Sequence, residues 1–255
     1  RSRNRLRVER ELGPRGERVV VSGSVPAGAR PRAVPRSVLD PVRYAGAVLR
    51  LQLEAVGVDV TGEVRVAPAP VGAAFVHDFY GPSVGEVVTP FLKYSLNEVG
   101  ETLVKDLAVQ RGAARGTFEA GAAATHSVLA GLGLPLGGVA IVDGSGLSPA
   151  NRATPRLLVE ALALADRKFG LGPELTAGLP IAGTDGTLRR RARGARGRVR
   201  AKTGLLSSVV ALSGYAEGPD GDVRIFSVLL NGLRGDVGGG MAALDAFAQA
   251  LAEVP

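Results

Sequence analysis

The chain has 255 residues, of which 45% are hydrophobic and 22% are charged, a composition that fits a folded globular protein and excludes a disordered one. It contains no cysteine, which excludes disulfides, thiolate catalysis and cysteine-ligated metals, and no apolar run has the length of a transmembrane helix. The net charge is +7, but only four of the 31 basic residues are lysines and only 4% of the residues are aromatic. This balance indicates solvated arginines rather than a nucleic-acid surface, which would use aromatic stacking platforms.

The first elements predicted along the chain are short β-type runs within residues 1–38, followed by three prolines that interrupt regular structure. This segment is typical of the end of a β-rich unit and a linker. Asp40-Pro41 then predicts the start of a helix, because Asp is a good N-cap and Pro fits the first helical position, and Gly57 predicts its end. Residues 58–60 predict a short strand.

Helices dominate the predictions for the middle of the chain. Ser83 and Glu86 form a possible capping box for a helix that Pro90 should kink or end early. Two more helices are predicted at residues 96–107 and 117–132.

A sheet is predicted in the last part of the chain. The elements expected there are a buried strand at 139–142, a helix that starts at Thr154-Pro155 and runs to about Asp166, strands at 199–203, 208–216 and 223–231, and a helix at 241–252. The turn chemistry between the last two strands indicates a hairpin. The order of elements predicts an α/β protein with an antiparallel sheet and a terminal helix.

Two short motifs carry chemistry. Lys202-Thr203-Gly204 lies in an alternating apolar strand, and Ser95-Leu96-Asn97 precedes a helix. Both are signatures of penicillin-interacting serine enzymes, in which a glycine lets a peptide backbone pair along the strand edge. The third signature, Ser-x-x-Lys with the nucleophilic serine, is absent, because no serine has a lysine three residues later. The loop that starts at Asp143 lacks the Gly-x-Ser-x-Gly spacing of a nucleophile elbow and predicts a tight turn with local Asx bonds.

With these motifs, the chain resembles the penicillin-binding D-alanyl-D-alanine carboxypeptidases and endopeptidases that carry a domain inserted into the transpeptidase domain. The resemblance rests on five blocks in the same order, at residues 40–46 with 54–62, 95–101, 143–155, 182–189 and 199–215. It implies a β-lactamase/transpeptidase-like α/β fold, with an antiparallel sheet flanked by helices and an all-helical subregion. Residues 1–38 would be the end of the β-rich inserted domain, and residues 39–255 the C-terminal portion of the transpeptidase-like domain.

The resemblance also implies roles for single residues. Ser95 would relay a proton between the nucleophile and the leaving amine, and Asn97 would hydrogen-bond the substrate amide. Lys202 and Thr203 would bind the terminal carboxylate region of the substrate. The backbone N–H of Leu205 would form half of an oxyanion hole. Leu205 stands where the family usually has Thr or Ser, so the backbone donor is retained but a side-chain contact is lost.

The function implied by the resemblance is that of a serine-type D-Ala-D-Ala carboxypeptidase or endopeptidase acting outside the cytoplasm, in the periplasm or cell wall. Its partners would be peptidoglycan stem peptides, with β-lactams acylating the same serine, and it would use no metal or other cofactor. The nucleophile is expected in a segment before Arg1, so the chain alone is expected to be inactive. The alternative is a non-catalytic pseudoenzyme that binds wall peptides in the same groove, which Leu205 favours.

Overall fold

The computed structural model describes residues 5–13, 16–68 and 70–255. The chain divides into two compact units, Arg1–Asp78 and Phe79–Pro255. The sequence predicts a domain boundary near residue 38, whereas the first compact unit includes residues on both sides of that position. The domain boundary therefore stays a prediction.

The first unit contains a β-hairpin and a helix. Strands β1 (Arg7–Gly13) and β2 (Gly16–Ser22) pair antiparallel along their whole length, in agreement with the β character predicted for this segment. The parts of that prediction that fall on residues 1–4, 14 and 15 lie outside the described residues. Helix α1 (Pro41–Ala55) begins as predicted, with the Asp40 side chain accepting a hydrogen bond from the Arg43 N–H at 3.0 Å.

The strand predicted at residues 58–60 is wrong. The N–H of Val58 donates to the carbonyl of Leu53 at 2.9 Å, so this residue closes the last turn of α1. The alternating valines therefore follow a helix end, and the backbone donor that a strand would need is already used.

Six α-helices occur in the described part of the second unit. They are α2 (Val84–Tyr94), α3 (Asn97–Gln110), α4 (Phe118–Gly131), α5 (Pro155–Asp166), α6 (Gly172–Gly178) and α7 (Val237–Glu253). The capping box of α2 is confirmed, since Ser83 and Glu86 each accept a hydrogen bond from the other's backbone N–H. The helix runs through Pro90 to Tyr94, so of the two outcomes predicted at Pro90, a kink or an early end, the early end is not found.

A three-stranded antiparallel sheet follows the helices. Its strands are β3 (Val199–Leu205), β4 (Val210–Glu217) and β5 (Val223–Leu230), in the spatial order β3-β4-β5. These strands agree with the three predicted ones.

The strand predicted at residues 139–142 is wrong, because only Ala140 pairs, in an isolated bridge with Arg152. The N–H of Val142 donates instead to the side chain of Asn151 at 2.9 Å, which stops the ladder after one pair.

The sheet lies between two helices. Val210 and Leu212 of β4 are buried against Leu244 of α7. Tyr215 lies an odd number of residues from Val210 and Leu212 on the same strand, and its hydroxyl donates to the carbonyl of Leu162 in α5 at 3.0 Å. Because successive residues of a strand point to opposite faces, α7 covers one face and α5 the other. The predicted α/β class, with an antiparallel sheet flanked by helices, is confirmed.

The core beneath α7 should contribute strongly to stability. Leu244 is 2% exposed, so Leu244→Ala should lower the free energy of unfolding by about 2–5 kcal/mol through lost burial and a residual cavity. Phe169 is 96% exposed, and Phe169→Ala should change it by about 0.5 kcal/mol or less. Urea unfolding followed by circular dichroism measures both values. Equal losses in the two variants would contradict this assignment of the core.

Candidate functional site

The two sequence motifs meet in space. Lys202 and Ser95 are 107 residues apart in the chain, yet the Nζ of Lys202 donates a hydrogen bond to the Oγ of Ser95 at 2.8 Å. The same ammonium donates to the backbone carbonyl of Thr203, also at 2.8 Å. An amine and a hydroxyl that could exchange a proton are thus in direct contact at the point where α2 meets the sheet.

Ser95 is held at this point by an unusual backbone conformation. It caps the C-terminus of α2 with φ 58° and ψ 52°, in the left-handed region, where residues other than glycine are uncommon. Its neighbour Leu96 is the N-cap of α3, so the chain turns from one helix into the next within two residues. Strained backbone of this kind occurs often at functional sites, because the surroundings must hold it in place.

The environment of Lys202 lowers the pKa of its side chain. Burial lowers the pKa of the Lys202 ammonium below its ordinary value, because few water molecules can solvate the charge there. A cavity of about 380 Å³ beside the residue is lined mostly by apolar side chains, among them Leu92 of α2, Leu158 and Leu162 of α5, Leu175 of α6 and Leu179 just after α6. An amine in such surroundings gives up its proton more readily than a solvated lysine does.

The outer edge of β3 is covered over its first half only. The N–H of Ala201 donates to the carbonyl of Pro180, and the N–H of Ala182 donates to the carbonyl of Val199. Since outward N–H groups alternate along an antiparallel strand, the N–H groups of Thr203 and Leu205 point out of the same edge. No strand of the described residues pairs with this second half, which leaves it open to an extended peptide.

A hydroxyl group that the motif analysis did not single out also lies here. The Oγ1 of Thr203 donates a hydrogen bond to the Oγ1 of Thr187 at 2.8 Å. Thr187 belongs to a short 3₁₀ helix, Gly186–Leu188. Its signal in the sequence is the block 182–189, which resembles the family but gives no single residue a role.

Other predicted site residues have less direct contacts. Asn97 is the first residue of α3 and is half-buried, and its side chain makes no hydrogen bond within the described residues. Gly204 lies in β3 opposite Ala211, and a Cβ built on it would lie 3.2 Å from the Ala211 methyl group. The structure therefore brings Ser95, Lys202 and Thr203 into contact, and among the described residues it shows no such contact for Asn97 or Gly204. The roles predicted for these residues and for Leu205 stay predictions.

The loop after residue 142 is a tight turn built on one carboxylate, as expected. Asp143 accepts hydrogen bonds from the backbone N–H groups of Gly146 and Ser148, both at 2.7 Å. Glu101 of α3 accepts a third loop N–H, that of Gly144, at 3.0 Å. The loop is thereby fixed against the helix that begins at Asn97.

The parts of the chain that the structure describes contain no group of three or more His, Cys, Asp or Glu residues arranged to hold a metal ion. They also contain no helix with the length and apolarity needed to span a membrane.

The fold is that of penicillin-binding proteins and β-lactamases. The structure is similar to penicillin-binding protein 4 (dacB) of Haemophilus influenzae, crystallised with a β-lactam, with a TM-score of 0.77 and 24% identity over 98% of this chain and 60% of the other. It is more distantly similar to a class A β-lactamase of Bacteroides cellulosilyticus, with a TM-score of 0.51 and 17% identity over 67% of this chain and 62% of the other.

Within this class, the chain belongs to the D-Ala-D-Ala carboxypeptidase 3 (S13) family, whose model matches residues 2–252. It is 38% identical over 265 aligned residues to a D-alanyl-D-alanine carboxypeptidase of Actinomadura sp. strain R39. That match covers 99% of this chain and 47% of the relative, so the chain spans about half the length of the curated relative.

The buried amine of Lys202 should give stability a pH dependence. Because its folded-state pKa is lowered, the folded protein binds fewer protons than the unfolded chain at pH values between the lowered pKa and the ordinary value of 10.5. The free energy of unfolding should therefore rise with pH through this window, relative to Lys202→Met. Urea unfolding at a series of alkaline pH values measures the difference. Lys168→Met, which removes an exposed lysine, should follow the wild type, and parallel curves for Lys202→Met would refute the prediction.

The contact between the Asp143 loop and α3 should tolerate no side chain at Gly144. A Cβ there would lie 2.0 Å from the carbonyl oxygen of Gly100, so Gly144→Ala should lower the free energy of unfolding by about 1–3 kcal/mol. Gly137 has open space around it, and Gly137→Ala should stay within about 0.5 kcal/mol of the wild type. Thermal and urea denaturation of both variants test this, and an unchanged Gly144→Ala would show that the loop can move away.

Proposed function

We propose that the full-length protein is a serine-type D-Ala-D-Ala carboxypeptidase or endopeptidase that acts on peptidoglycan stem peptides. The observation that carries this proposal is the hydrogen bond between Lys202 and Ser95, beside the open half of β3. Acyl transfer needs a route for a proton and a surface that aligns a peptide, and both occur here. The name of the Actinomadura relative, a D-alanyl-D-alanine carboxypeptidase, supports the same substrate class.

The proposed reaction begins with attack of a serine hydroxyl on the carbonyl of the terminal peptide bond. The new C–O bond gives a tetrahedral oxyanion, which collapses as the C–N bond breaks, and the proton of the serine must reach the departing amine. The Ser95 hydroxyl, in contact with Lys202, is suited to receive this proton and pass it on. Water then attacks the acyl-enzyme and restores the serine. We propose that a segment of the full-length protein outside these 255 residues supplies this nucleophile, because no Ser-x-x-Lys occurs within them.

The residues of the strand edge would hold the substrate during this reaction. The outward N–H of Leu205 is oriented to donate to the developing oxyanion, and one such donor typically contributes about 10²–10³ in rate. Lys202 and Thr203 would bind the terminal carboxylate, which adds the charge attraction of an ammonium to a hydroxyl donor. Asn97 has a side chain free for the amide of the substrate, since no described residue bonds it.

We further propose that β-lactams acylate the same nucleophile and that the protein works outside the cytoplasm. A structural neighbour, penicillin-binding protein 4 of Haemophilus influenzae, was crystallised with a β-lactam, which supports the first point. Peptidoglycan stem peptides lie outside the cytoplasmic membrane, which supports the second, at the level of an extracytoplasmic or cell-wall location.

Two measurements on the full-length protein test this function. D-Ala release from a peptide that ends in D-Ala-D-Ala should be observed, and a fluorescent penicillin should label the protein covalently. Ser95→Ala should lower kcat/KM by about 10²–10⁴-fold, because the proton relay is lost. Ser37→Ala, which removes an exposed serine of the first unit, is the matched control and should retain full activity. Reversible peptide binding with neither release nor labelling would refute the enzyme and favour a binding protein.

A further inference from the structure

We propose that Lys93 and Asp185 are positioning residues of this site, whose ion pair holds Ser95 against Lys202 and Thr187 against Thr203. The proposal rests on the function proposed above, and it assigns a task to two charged residues that neither motif contains. Neither residue touches the open edge of β3, so any effect on the reaction must act through their neighbours.

Lys93 is a buried charged residue in the last turn of α2, only 9% exposed. Its ammonium donates to the backbone carbonyl of Leu179 at 2.5 Å and to both carboxylate oxygens of Asp185, at 3.0 and 3.2 Å. A lysine on a helix is ordinarily solvated, and its burial here is compensated by three acceptors. The ammonium therefore fixes the end of α2 to a segment 86 residues or more away in the chain.

Asp185 continues the connection on the other side. Its Oδ1 accepts a second hydrogen bond, from the backbone N–H of Ile181 at 2.8 Å, which closes the turn that leads into the 3₁₀ helix. The next residue, Gly186, has φ +53°, and a Cβ on it would lie 2.4 Å from the carbonyl oxygen of Lys93. The backbones of the two segments therefore touch, and only glycine permits this approach.

These contacts form a closed path. Lys93 lies two residues before Ser95, and Asp185 lies two residues before Thr187. Thr187 contacts Thr203, the neighbour of Lys202, and Lys202 returns to Ser95. Every link is a hydrogen bond, an ion pair or a peptide bond, so a shift of the ion pair moves both hydroxyl contacts at once.

Stability alone is a weak reason for such a pair. Lys93 loses most of its hydration in this pair, whereas the Asp185 side chain is 37% exposed. The attraction between such charges is largely offset by the cost of desolvating the buried one, and apolar residues of similar size often match it in stability. Catalytic geometry is a stronger reason, since a misplacement of about 1 Å can cost about 10²-fold in rate. The place of the pair, between the two contacts that the chemistry would use, fits the second reason.

A second ion pair in the same unit provides the control. Arg191 and Asp245 form a half-buried bridge at 2.8 Å that ties the loop before β3 to α7, and neither residue bonds Ser95 or Lys202. Loss of this pair removes a comparable bridge and leaves the closed path intact.

The first test uses the double variant Lys93→Met/Asp185→Asn, which removes one charge of each sign, and the single variant Asp185→Asn. Selective ¹³C labelling of lysine ε-carbons gives a simple spectrum, since the 255 residues contain only four lysines. If the pair positions α2, its loss hydrates Lys202, and the Lys202 pKa should rise in both variants. If the pair does not position α2, Asp185→Asn only removes a nearby anion that stabilises the ammonium, and the Lys202 pKa should fall instead. The direction of change in Asp185→Asn thus separates the two effects.

The groups around Lys202 carry no charge that would itself change the measured pKa. Its hydrogen-bond partners are the Ser95 hydroxyl and a backbone carbonyl, and the cavity beside it is lined by uncharged residues from α2, α5, α6 and the sheet. Arg191→Met/Asp245→Asn should leave the Lys202 pKa unchanged. A lower melting temperature with an unchanged Lys202 pKa in both test variants would overturn the proposal and leave a purely structural pair. If the double variant fails to fold, Asp185→Asn alone decides by the same criterion.

The second test uses the full-length protein. The double variant should lose about 10²-fold in kcat for D-Ala release, with KM changed much less, whereas the control double variant should match the wild type. An unchanged kcat would overturn the positioning role. Failure of the proposed function has a different signature, because the wild type itself would then release no D-Ala while the lysine pKa changes would still be measurable.

Discussion

The hydrogen bond between Lys202 and Ser95 is the interaction around which the second unit is arranged. It joins a helix corner to an edge strand over 107 residues of sequence, and neither partner is placed by its own element alone. The corner needs a left-handed residue between α2 and α3, and the strand needs α7 behind it and helices on its other face. The burial that keeps the amine poorly hydrated comes from the leucines of those same helices.

Local signals in the sequence predicted much of this architecture. Asp40-Pro41, Ser83 with Glu86 and Thr154-Pro155 each predicted a helix start that the structure has, because a cap involves residues within one turn of each other. The strands around Lys202-Thr203-Gly204 were predicted for a similar reason. Apolar residues alternate along each of them over several positions, and the turns that join them are short.

The failures share a physical cause. Residues 58–60 and 139–142 have the composition of strands, but a strand also needs a partner, and their backbone donors are taken by Leu53 and Asn151. Lys93 and Asp185 could not be found for a related reason. A lysine and an aspartate 92 residues apart carry no pattern that marks them as a pair, and each alone is typical of a solvated surface. The two motifs were found because their residues are adjacent in sequence, whereas the contacts that support them are not.

The corner at Ser95 has one more consequence, which concerns the dipoles of the helices. The last turn of α2 presents carbonyl groups with a partial negative charge, and the ammonium of Lys202 lies against the residue that caps it. This attraction opposes the desolvation that favours the neutral amine. Two forces of opposite sign therefore act on one nitrogen. Desolvation lowers the pKa of Lys202, and the carbonyl groups at the end of α2 work against that fall, because they stabilise the charge with which the amine donates to the Ser95 hydroxyl.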